Sequence, residues 1–91
     1  MAANNASRDS VAYLASGFDL IPVVPDDDND LAVAARAIRC LPDSGTAGTV
    51  AFLALNGESR STEIAVGETL LVGAKRILAS GTTATGLEIY I

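Results

Sequence analysis

The side chains best suited to chemistry lie in one acidic run of the sequence. Asp26, Asp28 and Asp30 alternate within this run, with the spacing of the first three ligands of an EF-hand calcium loop. The pattern then departs from such a loop, because Leu31 stands where glycine is required and Ala37 where the bidentate glutamate belongs. We therefore interpret the run as a solvated turn, and a looser calcium site shared with a neighbouring subunit is the alternative.

Groups able to act as catalysts are otherwise scarce. The chain has no histidine, which excludes Ser-His-Asp and Cys-His arrangements, and its eight glycines are dispersed and form no phosphate loop. Cys40, the only cysteine, has apolar neighbours and is expected to be a small buried side chain. We expect the later carboxylates to be surface charges: Glu58, Glu63, Glu68 and Glu88. The sequence therefore predicts no enzyme and, apart from the calcium alternative, no cofactor.

Charge and composition narrow the class of partner. The net charge is −5 and only 4% of the residues are aromatic. Residues 1–30 contain one arginine against six aspartates, whereas the rest of the chain has five cations and five acids. A negative protein repels nucleic acid and anionic membranes, and few aromatic rings disfavour base stacking. We therefore expect protein partners, with no binding to nucleic acid or membrane.

The length of the chain favours self-assembly. A chain of 91 residues buries only about 60–65% of the surface that its unfolded form exposes. Domains of this size often depend on disulfides, metals or oligomerisation for stability. Because a single cysteine cannot form a disulfide within one chain, we predict a homo-oligomer.

Small and polar residues dominate the N-terminal part of the sequence. Residues 1–16 are rich in Ala, Asn and Ser and predict an arm that is flexible or ordered by a partner. Residues 18–24 predict an extended segment, either an edge strand or an arm, because the prolines within and just after it exclude a helix interior and a central strand. Residues 31–41 fit a helix or a strand; we expect at most one helical turn and then a strand from about Arg36.

The rest of the chain alternates between short apolar runs and turn residues. Asn56-Gly57 predicts a type I′ hairpin turn with positive φ at both residues. Lys75 and Arg76 are adjacent in a predicted strand and are expected on opposite faces of its sheet. Regularly spaced turns predict an all-β domain over residues 17–91, a small antiparallel β-sandwich or barrel of five to six short strands. The clearest predicted strands cover residues 49–55, 61–66, 70–79 and 85–91.

Four stretches together carry a resemblance to a known family. The most specific is residues 75–86, a basic-apolar strand followed by Ala-Ser-Gly-Thr-Thr-Ala-Thr-Gly. The others are an extended aromatic segment with its acidic run, an Arg-Ala-Ile-Arg run and a small-Gly turn, at residues 18–31, 36–39 and 66–71. This pattern resembles the head spike base proteins of alphaproteobacterial gene transfer agents and related tailed phages. The chain departs from it at Cys40-Leu41-Pro42, where the family has an aromatic residue and glycines.

The resemblance implies a structural virion protein, made in the host cytoplasm and fixed to the outer capsid surface. Its role there would be decoration, cement or spike base. The implied partners are the major capsid protein, further copies of the chain in a trimer or pentamer, and a fibre protein. A different class of function is the alternative: a receptor- or glycan-binding β-module of a tail or fibre that uses calcium at the acidic run.

The expected partner interface combines apolar residues of the N-terminal region with a pair of cations. These cations would bridge to the acidic N-terminal region of a neighbouring subunit. The threonine-rich connection at residues 81–86 is expected either to pack within the domain or to contact a neighbour. The predicted interface residues are Val11, Tyr13, Leu14, Phe18, Leu20, Lys75 and Arg76.

Overall fold

The computed structural model describes residues 19–91, which form seven β-strands in two antiparallel sheets. One sheet has the strand order β1-β7-β2-β5 and the other the order β4-β3-β6. This arrangement confirms the predicted all-β fold, and no helical turn occurs among the described residues. The strands are β1 Leu20–Pro22, β2 Ala37–Cys40, β3 Gly48–Ala54, β4 Ser59–Ile64, β5 Thr69–Leu70, β6 Ala74–Leu78 and β7 Leu87–Tyr90.

The core lies between the two sheets. In the four-stranded sheet, Ile21, Ile89, Ile38 and Leu70 stand in register across all four strands. Branched aliphatic residues at alternate positions favour strands and place one apolar face towards the core. Each large side chain buried there contributes about 1.5–3 kcal/mol relative to exposure. The three-stranded sheet supplies the opposing buried side chains Val50, Phe52, Ile64 and Ile77.

Two local predictions from the sequence are confirmed. The segment with the prolines forms β1, which pairs only with β7 and therefore lies at the edge of its sheet. In β7, Leu87 and Ile89 are buried while Glu88 and Tyr90 point away from the core. The predicted boundary between an arm at residues 1–16 and the domain lies outside the described residues.

The β3–β4 hairpin forms, but the predicted type I′ turn is wrong. Gly57 has a φ of +88°, whereas no described residue other than glycine has positive φ, so Asn56 does not adopt the conformation that this turn requires. The N–H of Gly57 donates to the carbonyl of Ala54, and the N–H of Ala54 donates to that of Glu58, both at 2.8 Å. These bonds close a three-residue loop with a left-handed glycine. Leu55 is the first residue of this loop, and its side chain packs against Gly73.

The predicted strand at residues 70–79 is also wrong, since it is two strands in different sheets. β5 pairs with β2 in the four-stranded sheet, and β6 pairs with β3 in the other. Between them the N–H of Val72 donates to the carbonyl of Leu70 at 3.0 Å, which makes a tight turn around Leu71. Gly73 follows, where a Cβ would lie 2.6 Å from Leu55 Cδ1. The chain therefore changes sheets at a glycine against which the side chain of Leu55 packs.

A β-bulge changes the expected direction of the two adjacent cations. Leu53 pairs with Arg76 but Ala54 pairs with Ala74, so Lys75 is an extra residue in β6. Ala74 and Ile77 are both buried, and the two residues between them are both partly exposed. Lys75 and Arg76 therefore both point away from the core. The expectation of opposite faces is wrong because a bulge breaks the two-residue alternation.

Candidate assembly surface

The acidic run is held against the end of β6 by hydrogen bonds. Asp27 accepts from the N–H of Ser80 at 2.9 Å and from its hydroxyl at 2.7 Å, and these bonds lower the pKa of Asp27 below its ordinary 3.8. Asp26 accepts from the side chain of Asn29 at 3.0 Å and from the N–H of Asp28 at 2.8 Å. These two bonds lower the pKa of Asp26 in the same direction.

Arg76 is paired within its own chain. Its Nε donates to Asp30 at 2.8 Å and its Nη1 donates to the carbonyl of Asp27 at 2.8 Å. The predicted bridge from this arginine to a neighbour's acidic region would have to compete with that pair. Arg76 therefore fixes the acidic run to the three-stranded sheet.

The three candidate calcium ligands serve different local contacts. Asp26 holds the turn, Asp30 binds Arg76, and Asp28 uses its backbone N–H towards Asp26. Among residues 19–91 no group of three or more His, Cys, Asp or Glu side chains is arranged to hold a metal ion. In the same part of the chain, no helix has the length and hydropathy needed to span a bilayer. Calcium binding stays a prediction that only a binding measurement tests.

The threonine-rich connection packs within the domain, along the part of β3 that β6 does not reach. Thr83 Oγ1 accepts from the N–H of Thr49 at 2.9 Å, and Thr82 Oγ1 accepts from the N–H of Ala51 at 2.9 Å. The N–H of Thr83 donates to the carbonyl of Thr49 at 2.8 Å. Gly48 permits this approach, because a Cβ there would lie 2.5 Å from Thr83 Oγ1. The hydroxyls of Thr82 and Thr83 thus accept hydrogen bonds from backbone N–H groups of β3, as the carbonyls of a neighbouring strand would.

The loop after β2 is packed closely around the buried Cys40. The thiol lies 3.4 Å from the carbonyl of Thr85, and the cysteine is fully buried, as predicted. Thr46 and Thr85 exchange two backbone hydrogen bonds of 3.1 Å. A Cβ on Gly86 would lie 2.6 Å from the Cα of Gly45. This loop, where the sequence departs from the family, is therefore a rigid part of the domain.

The outer face of the four-stranded sheet combines apolar residues with a neutralised ion pair. Leu20 stands opposite Tyr90, and Pro22 stands opposite Glu88. Glu88 in turn pairs with Arg39 of β2, and their side chains are 3.1 Å apart. The ion pair leaves no net charge on this face. An apolar, uncharged face of this kind favours contact with another protein.

The edge strands β1 and β4, one in each sheet, differ in their free backbone groups. At β1 the N–H of Leu20 is bound by the carboxylate of Asp19 at 2.8 Å, and Pro22 has no N–H. The outer edge of β1 is therefore closed to a further strand. At β4 the register with β3 leaves the N–H groups of Ser61 and Glu63 pointing outward. Of these two strands, β4 is therefore the one that can donate hydrogen bonds to a further strand.

A shallow groove of about 480 Å³ adjoins the end of β4. Glu63 and Glu68 line it together with small residues, and its lining contains no aromatic side chain. Glu68 also accepts from the N–H of Ala65 at 2.8 Å. The groove has neither the aromatic surface nor the enclosure typical of a small-molecule site.

Comparison with solved structures identifies the kind of protein that shares this fold. A chain of the structure described as the capsid of a native GTA (gene transfer agent) particle computed with C5 symmetry superposes with a TM-score of 0.71. The two chains are 32% identical, over 82% of this chain and 83% of that chain. The chain belongs to the family of this gene transfer agent capsid protein. No protein-family model and no curated protein matches the sequence.

For a member of this gene transfer agent capsid family, the candidate functional sites are surfaces that contact other proteins, rather than pockets. Of the predicted interface residues, Leu20 lies on the outer face of the four-stranded sheet with 38% of its surface exposed. Lys75 and Arg76 belong to the other sheet. The remaining four lie outside the described residues: Val11, Tyr13, Leu14 and Phe18.

Tyr90, Glu88 and Arg39 of this outer face were not predicted as interface. The alternation in β7 already placed Tyr90 and Glu88 opposite the core, which was the available signal. The Arg39–Glu88 pair joins strands 49 residues apart in sequence, so no local pattern reveals it.

Proposed function

We propose that this chain is a structural virion protein that binds the outer surface of a capsid as a homo-oligomer. Its role there is decoration, cement or spike base. The observation that supports this proposal is the 32% identity, over 82% of the chain, with a capsid chain of a gene transfer agent particle. Kinship with a capsid structural protein also favours a role without catalysis.

The outer face of the four-stranded sheet is the surface that we propose to bind the major capsid protein. Leu20 and Tyr90 offer apolar area, and the Arg39–Glu88 pair avoids an unpaired charge in a buried contact. Each large side chain that becomes fully buried contributes about 1.5–3 kcal/mol. A rigid sheet loses little conformational entropy when it binds.

The symmetry of the homo-oligomer distinguishes between the proposed roles. A trimer supports cement at three-fold positions, whereas a pentamer supports a spike base at vertices, where a fibre protein would attach. Native mass spectrometry of the purified chain distinguishes these two assemblies. A monomer at every concentration tested would contradict the homo-oligomer.

Reconstitution on particles that lack the protein tests the proposed location. The purified chain should sediment with such particles, and electron cryomicroscopy should place its density outside the shell. Leu20→Asp should weaken binding at least about tenfold, because it puts a charge into an apolar contact. Ser61→Asp, a matched charge on β4, should bind normally. Density inside the shell, or equal binding by both variants, would contradict the proposal.

The alternative is a glycan-binding or receptor-binding module that depends on calcium. The groove beside β4 lacks aromatic side chains, so nothing in its lining favours a sugar. Calorimetric titration with calcium decides the ion requirement. Heat of binding that disappears in Asp26→Asn would support this alternative.

A further inference from the structure

Three exposed apolar side chains lie together at one end of the sandwich. Val33, Leu55 and Leu71 are 55%, 61% and 87% exposed, and we call them the apolar tip. They are half of the six exposed large hydrophobic residues in the described part of the chain. A cluster of this kind on a small domain is typical of a protein contact.

All three members of the apolar tip adjoin residues 73–75. Leu55 packs on Gly73, and Leu71 projects from the tight turn just before it. Val33 lies between Leu31 and Ala35, whose N–H groups donate to the carbonyls of Lys75 and Ala74, both at 2.8 Å. The β3–β4 turn, the β5–β6 connection and the loop before β2 therefore meet here.

A cation adjoins the apolar tip. Lys75, the chain's only lysine, has its Nζ 4.0 Å from a Cβ placed on Gly57 in the β3–β4 turn. No carboxylate within residues 19–91 forms an ion pair with it. A partner segment that carries one carboxylate next to apolar residues would match this surface.

Residues 1–18 have that composition and begin from the same end of the domain. Asp19 and Ile91 exchange two backbone hydrogen bonds of 2.9 and 2.8 Å, and Arg36, just after the loop that carries Val33, donates to the carbonyl of Tyr90. The segment contains Arg8 and the carboxylate of Asp9, followed by the apolar residues Val11, Tyr13, Leu14 and Phe18. Eighteen extended residues span roughly 60 Å, which is enough to reach a neighbouring subunit.

We propose that residues 1–18 of one copy dock on the apolar tip of an adjacent copy. The length of this segment favours a neighbour, because roughly 60 Å of extended chain can reach beyond its own subunit. Asp9 would lie near Lys75, and the apolar residues would cover the tip. The contact joins two different surfaces, so its repetition closes a ring when the rotation allows. This inference rests on the proposed homo-oligomer.

Disulfide trapping tests the contact in the full-length chain. The variant Tyr13→Cys/Leu71→Cys should give a ladder of linked species larger than a dimer on mild oxidation, since each chain then links to two neighbours. The buried Cys40 does not interfere. Tyr13→Cys/Val24→Cys is the matched control, because Val24 is 85% exposed but follows β1 at the opposite end. A ladder of equal yield in the control, links within one chain or no links at all would overturn the inference.

Self-association separates this inference from the proposed function. Leu71→Ser should weaken oligomerisation at least about tenfold, and Val24→Ser should not. Deletion of residues 1–16 should weaken it at least as much, and adding Leu71→Ser to the deletion should have no further effect. If Leu71→Ser stays fully oligomeric, the docking contact is wrong although the protein still binds capsids. If the wild-type chain fails to bind capsids, the proposed function is wrong whatever the oligomer does.

Discussion

The carboxylate of Asp27 accepts two hydrogen bonds from Ser80, one from the backbone N–H and one from the hydroxyl. The two residues are 53 positions apart, so the pair joins the acidic run to the second residue after β6. Together with the Asp30–Arg76 pair, it accounts for the ordered path of a segment with four aspartates. The acidic run is therefore a structural element of the three-stranded sheet.

Loss of the Asp27–Ser80 contact should lower thermal stability. Ser80→Ala and Asp27→Ala should each reduce Tm, and the double variant should be no worse than Asp27→Ala alone, because both changes break the same contact. Asp28→Ala is the matched control, since the Asp28 contact uses its backbone N–H. Circular dichroism melts measure the effect. An equal Tm loss in the control would contradict the assignment.

The acidic run should also make the folded protein less stable at low pH. The hydrogen bonds lower the folded-state pKa of Asp26 and Asp27 below 3.8, so their contribution is present above that value and is lost as pH falls through the folded-state pKa. We expect Tm to decrease as pH falls below about 4. The decrease should be smaller in Asp26→Asn/Asp27→Asn. Parallel pH profiles for variant and wild type would contradict this origin.

The hydroxyls that complete the β3 ladder should be needed for stability. Thr82→Val keeps the shape of the side chain but leaves the N–H of Ala51 without its acceptor, at a cost of about 1–3 kcal/mol. Thr83→Val should cost less, because its bond to Thr49 is exposed. Thr62→Val in β4, where the side chain is exposed, is the control and should be nearly neutral. Urea denaturation measures all three, and an equal cost for Thr62→Val would contradict the prediction.

The close approach of Gly45 and Gly86 should not tolerate side chains. Gly86 has a φ of +70°, and a Cβ there would lie 2.6 Å from the Cα of Gly45, so Gly86→Ala should cost at least about 1–3 kcal/mol. Gly57→Asn is the comparison, because Gly57 has positive φ with no atom closer than 4.0 Å to an added Cβ. Asparagine tolerates this backbone conformation. Equal destabilisation by both changes would show that φ alone, and not the close contact, matters.

The single thiol should report global unfolding. Cys40 is fully buried, so a thiol reagent should modify it at least about a hundredfold more slowly in the native protein than in urea. The rate should increase in Gly86→Ala, which loosens the surrounding loop. Rapid modification of the native protein would mean that this loop opens locally. Such a result would contradict the rigid loop described here.

Local patterns predicted the fold class, the edge strand and the faces of β7 because each depends on neighbouring residues. The split at residues 70–79 was not predictable, since it depends on Leu55 occupying the space beside Gly73. The bulge at Lys75 has the same kind of cause, because register is set by the partner strand. Contacts between residues that are distant in sequence therefore determine both the strand split and the bulge.

The candidate surface was only partly predictable for the same reason. Leu20 was identified as an interface residue from the sequence, and the structure places it on the outer face of its sheet. Arg76 looked free to bind a neighbour, yet Asp30 pairs with it across 46 residues. The threonine-rich connection left two possibilities open, and its hydrogen bonds to β3 show packing within the domain.

The difference between β1 and β4 limits how the subunit can grow by strand addition. Within residues 19–91, β1 offers no free N–H donor on its outer edge, because Asp19 binds that of Leu20 and Pro22 has none. A further strand could pair with β4 but would find no N–H donor along β1. Runaway strand addition through β1 is therefore disfavoured, which protects one edge of the four-stranded sheet from aggregation.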